Sequence, residues 1–166
     1  MPILTFARQH GLASVALPVL AGLALAGSVA TVSARAPAAP APSGAQLYTR
    51  CAVCHGATGA GVPNAFPPLG ADFRAQAATN AGRRYLALVV IKGVSGPLTI
   101  GGTTYRGAMP AQSGLDDAAV AAVLNHVGTQ IAKTGPAFRA FTAAEVARAR
   151  ASGASLNSAG VAALHH

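Results

Sequence analysis

Cys51-Ala-Val-Cys54-His55 decides the reading of this chain. Both cysteines of the 166 residues stand in it, with a histidine directly after the second. Ser43 is placed to cap a helix running through about Cys54. Positions i, i+3 and i+4 of a helix share one face, so the two thiols and the imidazole project together. Three chemistries use such a triplet. A thioredoxin-like redox pair needs a strand before the cysteines and a helix after them, and that setting is absent. A structural zinc site needs a fourth ligand, usually from a second Cys or His pair at close spacing, and none follows. Covalent haem c needs only the two thiols, as thioethers to the porphyrin vinyl groups, and the imidazole, whose Nε2 reaches the iron. The segment therefore predicts one covalently attached haem c on Cys51, Cys54 and His55.

The rest of the composition is consistent with a chain that packs around something other than itself. Hydrophobic residues make up 52%, but 41 of them are alanine and only eight are aromatic, with no tryptophan. A large, flat, apolar group would supply the bulk that such a chain lacks. Two cysteines exclude a disulfide framework. The formal net charge is +8, yet no run of Lys or Arg exceeds two. Nucleic-acid binding asks for a basic stripe interleaved with aromatics, and there is none. The basic residues serve either solubility or docking to acidic partner proteins.

Residues 1–34 read as an export signal. Arg8 and His10 form a weakly basic start, Gly11 to Ala34 carry no charge, and Val32-Ser33-Ala34 offers small residues for cleavage. The uncharged run is also just long enough to span a bilayer, so residues 11–34 are either a cleaved signal or a membrane tether. Both place the protein in the periplasm. Residues 35–42 hold three prolines and read as a semi-rigid linker. The domain proper is expected over 43–133, and 134–166 as a tail. Thr142-Ala-Ala-Glu145 is a capping box that predicts one short helix there. The Ala/Gly/Ser-rich stretch after Ser152 is expected to be mobile.

Two more helices are expected inside the domain. One runs from about Asn80 to Lys92, with Leu86, Val89 and Val90 on one face and Gly93 as its stop. The other starts at Asp116 as N-cap and carries a stripe of Val120, Val123, Leu124, Val127 and Ile131. Gly101-Gly102 between them signals a tight hairpin. Apart from Met1, the chain has one methionine, Met109, in Gly107-Ala-Met-Pro110. A methionine in a Gly/Pro loop is poorly placed as a core filler, so Met109 is the leading candidate for a sixth iron ligand. His126, Lys92, Lys133, His165 and His166 compete for that role.

These residues resemble the class I cytochromes c, specifically the small bacterial monohaem type. The resemblance covers about 43–133. It is carried by Leu47-Tyr48, Cys51-Ala-Val-Cys54-His55-Gly56, the Gly61–Gly70 stretch, Gly93-Val-Ser-Gly-Pro-Leu-Thr-Ile100 and Tyr105-Arg-Gly-Ala-Met-Pro110. A haem motif near the start of the domain and a Met-Pro toward its end is the class I order; class II cytochromes place the motif at the C-terminal end. The resemblance implies an all-α fold, a few helices wrapped around the haem with a short hairpin or loop before the axial methionine. It implies that Pro67 accepts the Nδ1–H of His55 and that Leu69 lies against the haem. It also implies that an N-terminal helix crosses a C-terminal one. Two positions at that crossing depart from the family: Tyr48 stands three residues before the first cysteine rather than four or five, and His126 replaces a frequent tyrosine.

The function expected is single-electron transfer rather than catalysis, because His/Met ligation fills the iron and raises its potential. Partners would be redox proteins: a dehydrogenase or quinol-oxidising complex as donor, and an oxidase or reductase as acceptor, with acidic docking surfaces. A haem subunit dedicated to a membrane-bound or periplasmic dehydrogenase complex is the alternative. An enzyme that opens its distal site to peroxide or a small gas is a further one.

Overall fold

A computed structural model describes residues 41–165. Residues 1–40, which include the stretch read as an export signal and most of the expected linker, and His166 lie outside the described residues. Six helices and four short strands follow in order. They are α1 (Gly44–His55), α2 (Ala71–Ala77), α3 (Asn80–Lys92), β1 (Val94–Ser95), β2 (Leu98–Ile100), β3 (Thr103–Tyr105), β4 (Ala108–Met109), α4 (Asp117–His126), α5 (Ala143–Ser152) and α6 (Ser158–Ala162). β2 and β3 form the hairpin around Gly101-Gly102, and β1 pairs antiparallel with β4. A π-helical turn, Val127–Ile131, extends α4. No helix among the described residues is long and apolar enough to cross a membrane.

Local chemistry starts these helices. Ser43 Oγ accepts from Gln46 N at 3.3 Å while the Gln46 side chain accepts from Ser43 N at 2.8 Å, which is a reciprocal cap on α1. Asp116 caps α4 through Ala119 N at 2.8 Å. α1 then packs across α4. At the crossing Gly44 has no side chain, and a Cβ there would collide with the Ala122 carbonyl. The backbones can approach only because this residue is glycine. The two departures from the family pattern meet at the same place. The Tyr48 ring packs on the His126 ring with centroids 5.3 Å apart, and the buried Tyr48 hydroxyl donates to the Gly56 carbonyl at 2.8 Å. The shifted tyrosine and the substituted histidine pair with each other.

The structure differs from expectation in two segments. α2 has no side-chain cap and lacks a strong apolar pattern; Phe73 and Ala77 bury it against its neighbours. The larger correction concerns the C-terminal stretch. After Ser152 the chain is not a mobile tail. It forms α6, capped by Asn157 through Gly160 N at 2.8 Å, and Val161 is fully buried. Leu156 and Leu164 pack on the same core. Three apolar anchors suffice to dock an Ala/Gly/Ser-rich segment, because small residues let its backbone lie close to the surface beneath.

α5 is held by a buried charge. Arg83 is 4% exposed, and its Nε and Nη2 reach the two Glu145 carboxylate oxygens at 2.9 Å each. Its remaining donors reach the carbonyls of Ala77, Arg139 and Ala140, and its guanidinium stacks 3.8 Å over the Phe141 ring. The fork therefore has a partner for every edge, as a buried cation requires. Hydrogen bonds from Arg83, reinforced by the Thr142 backbone and Arg139, hold the Glu145 carboxyl at about 2, against an ordinary value of 4.5. A depressed carboxylate stabilises the fold fully above its unfolded pKa, and that stabilisation is lost as pH falls through the folded one. Thermal stability should thus fall between pH about 4.5 and about 2. Glu145→Gln should flatten this part of the profile. Parallel pH profiles for the two proteins would show the C-terminal helices held by other contacts.

Candidate functional site

The last turn of α1 presents Cys51, Cys54 and His55 to one cleft. Both thiols are free and half-buried. Burial pushes the Cys51 thiol pKa up, Arg50 pulls against that shift, and Cys54 adds to it. His55 is 8% exposed, with Nδ1 at 2.8 Å from the Pro67 carbonyl oxygen. In the neutral ring Nδ1–H donates to that oxygen and the Nε2 lone pair is left for a metal. Burial lowers the imidazole pKa, and the Pro67 bond partly offsets this. The neutral, ligating form is the one favoured.

Pro67 is placed by a loop that folds back on itself. Gly61 N donates to the His55 carbonyl at 2.8 Å, Leu69 N donates to the Gly59 carbonyl at 2.7 Å, and Val62 pairs with Phe66 across a single bridge. Leu69 lines the cleft, with Phe73 from α2, Leu86 and Val90 from α3, and Val123 and Leu124 from α4. Met109 lines it as well. Its strand is set by the ladder to β1, in which Val94 faces Met109 and Ser95 faces Ala108. Gly93 ends α3 at φ 72°, and a Cβ there would run into the Met109 carbonyl. Glycine at 93 is read from sequence as a helix stop. That it also admits the Met109 strand depends on the fold.

Among the described residues, the other candidate ligands have partners of their own; His166 lies outside them. His126 pairs with Tyr48, the Lys92 Nζ donates to the Ala154 carbonyl at 3.1 Å, and the Lys133 Nζ donates to the Thr129 carbonyl at 2.7 Å. His165 Nε2 lies 3.2 Å from both Asp72 carboxylate oxygens. None of these four lines the cleft, although Asp72 and Tyr85 do. Neither Asp72 nor Tyr85 carries a sequence signal of its own.

The cleft encloses about 1150 Å³ free of protein atoms, its open mouth included. Its walls are aliphatic and aromatic, and Asp72 is the one acidic side chain on them. No group of three or more His, Cys, Asp or Glu among the described residues is arranged to hold a bare metal ion. Two thiols, one neutral imidazole and one thioether in an apolar slot suit a large flat group that brings its own metal. The family model for cytochrome c matches residues 41–130. The chain belongs to the cytochrome c family. It is 43% identical over 110 residues to cytochrome c-552 of Thermus thermophilus, an alignment covering 65% of this chain and 84% of that protein. A second Thermus thermophilus cytochrome c-552 is 43% identical over the same length and is covered over 74%.

The helical architecture is that of a class I cytochrome c. Cytochromes c carry covalently attached haem c, and Cys51 and Cys54 fit their Cys-x-x-Cys-His motif. They are electron carriers rather than enzymes and work with partner proteins. Beside this motif the cytochrome exposes apolar side chains that sequence reading did not single out. Val53, between the two cysteines, is 83% exposed, and Val62 and Phe66 of the Pro67 loop are also exposed.

Proposed function

We propose that this cytochrome is a periplasmic single-electron carrier whose haem is held by thioethers to Cys51 and Cys54 and ligated by His55 and Met109. The observation that carries the ligand assignment is that His55 and Met109 line one apolar cleft while His126, Lys92, Lys133 and His165 are committed elsewhere. Haem c, when bound, supplies a one-electron iron couple. Pro67 fixes the tautomer and tilt of His55, and Leu69 keeps water from that face. Met109, as a thioether, favours ferrous iron and so a high potential. With both axial positions occupied by protein, substrate chemistry at the metal is disfavoured. The export segment over residues 1–34 supports the periplasmic location.

The test is an optical and electrochemical titration of the purified protein. A reversible one-electron step with six-coordinate, low-spin spectra in both states is expected. A five-coordinate state that turns over peroxide would replace the carrier reading with an enzymatic one.

Docking is proposed at the face that exposes Val53 beside the half-buried cysteines. Arg50 and Arg106 are exposed near Val53 and Met109 in sequence, and the net charge of +8 favours acidic partners. Association should slow as salt rises, because the Debye length falls from about 30 Å at 0.01 M to about 8 Å at 0.15 M. Stopped-flow electron transfer to the physiological partner reads this directly. A second-order rate that is flat or rising over that range would remove the steering role and leave the carrier role intact.

A further inference from the structure

The cytochrome c match ends at residue 130, and α5 and α6 lie beyond it. α6 does more than cover the core. It packs against both α3 and β1, and β1 is the strand that pairs with Met109. Ser158, the first residue of α6, lies with its Oγ 2.8 Å from the Ser95 Oγ, and both side chains are partly buried. Ser95 pairs with Ala108, the residue before Met109. A continuous path therefore runs from α6 through one side-chain hydrogen bond and one rung of the ladder to the Met109 backbone. Just beyond β4, the Gln112 N–H donates to the Val90 carbonyl at 2.8 Å, which ties the Met109 segment to α3 as well. Val161 is fully buried and fixes α6 in place.

A two-residue ladder is weak by itself, since strands this short form few bonds and no third strand flanks the β1–β4 pair. The Met109 strand has no long sheet behind it, and its persistence in one position needs support from outside. α6 supplies that support at β1. We propose that α6, through Ser158 on Ser95 and the anchor Val161, is a positioning brace that holds Met109 on the iron. Ser158 is then a positioning residue for the axial ligand, acting at a distance through β1. This rests on the reading of Met109 as the sixth ligand.

The test uses the ferric holoprotein with imidazole as the probe of a vacated axial position. Ser158→Ala removes the hydrogen bond but leaves the Asn157 cap of α6 untouched. It should raise imidazole affinity about two- to tenfold, the change that one hydrogen bond supports. It should also weaken the near-infrared sulfur-to-iron band and lower the potential. Ser158→Thr keeps a hydroxyl and should restore all three. Val161→Ala should act in the same direction and more strongly. Val146→Ala cuts a cavity under α5, which packs on α3 and α4. It should lower thermal stability and leave imidazole binding and the band unchanged. If Ser158→Ala and Val161→Ala lose stability alone, like Val146→Ala, the brace is wrong. Met109→Ala is the control on the underlying reading: if it leaves the band and imidazole affinity unchanged, the ligand assignment has failed, whatever the α6 variants do.

Discussion

Replacing Cys51 and Cys54 together by serine is expected to remove haem from the denatured protein and to unfold most of the chain. The two thiols are free, half-buried and presented by the same turn of α1 as His55. Their removal leaves axial bonds alone to retain the group, and those do not survive a denaturing gel. The fold should suffer because the cleft walls are core. Leu86, Val90, Val123 and Leu124 belong to the buried cluster and also face the cleft. Without a porphyrin, these side chains border an unfilled apolar cleft. A cavity of that kind forfeits both hydrophobic burial and dispersion contacts. The loss is on the order of the whole net stability of a small domain, about 5–15 kcal/mol. The double variant, made in cells with the attachment machinery, should show the mass of the bare polypeptide and little helical circular dichroism. A variant that keeps the haem stain on a denaturing gel, or keeps a cooperative melt without haem, would contradict the reading of the cleft.

Met109→Ala should give the second largest change, in chemistry rather than in folding. Met109 sits on a short strand at the cleft edge, partly exposed. With Met109 as the proposed sixth ligand, trimming it opens space beside the iron with little loss of core. The ferric protein should lose its near-infrared sulfur-to-iron band and should bind imidazole or cyanide. The potential should fall by a sizeable fraction of the roughly 0.8 V over which axial ligands tune haem proteins, because alanine offers no thioether to favour ferrous iron. Helical content should change little. An unaltered band and potential would transfer the ligand role to a histidine or lysine. That would in turn require His126 to leave Tyr48, or Lys92 to leave the Ala154 carbonyl.

Much of this protein is legible without coordinates because its signals are local. The Cys51–His55 spacing puts both thiols and the imidazole on one helical face within about one turn. The caps at Ser43, Asp116 and Thr142 lie within three residues of the amides they satisfy. The apolar stripe of α4 repeats at the helical period, and Gly93 ends α3 where a left-handed residue was needed. In each case cause and effect sit within four or five positions of the chain. Pro67 was reached only by resemblance, since nothing in the spacing itself says that its carbonyl turns back toward His55.

What the tertiary structure decided joins residues far apart. Arg83 finds Glu145 across 62 positions and Ser95 finds Ser158 across 63. Neither pairing has a local signature: an arginine in a helix and a serine in a small-residue tail read as surface. The Ala/Gly/Ser-rich composition after Ser152 predicts a mobile stretch. It docks because Val161, Leu156 and Leu164 have an apolar surface waiting for them, built from α3 and the core. Tyr48 and His126 each depart from the family pattern, and only the crossing of α1 over α4 shows that the two rings pair. The sequence by itself determined the prosthetic group and the helices that present it, because a covalent motif and a helical period are properties of neighbouring residues. Only the fold decided what holds the Met109 strand and the C-terminal helices, because a buried contact acquires its energy from the removal of water by a partner that chain order does not reveal.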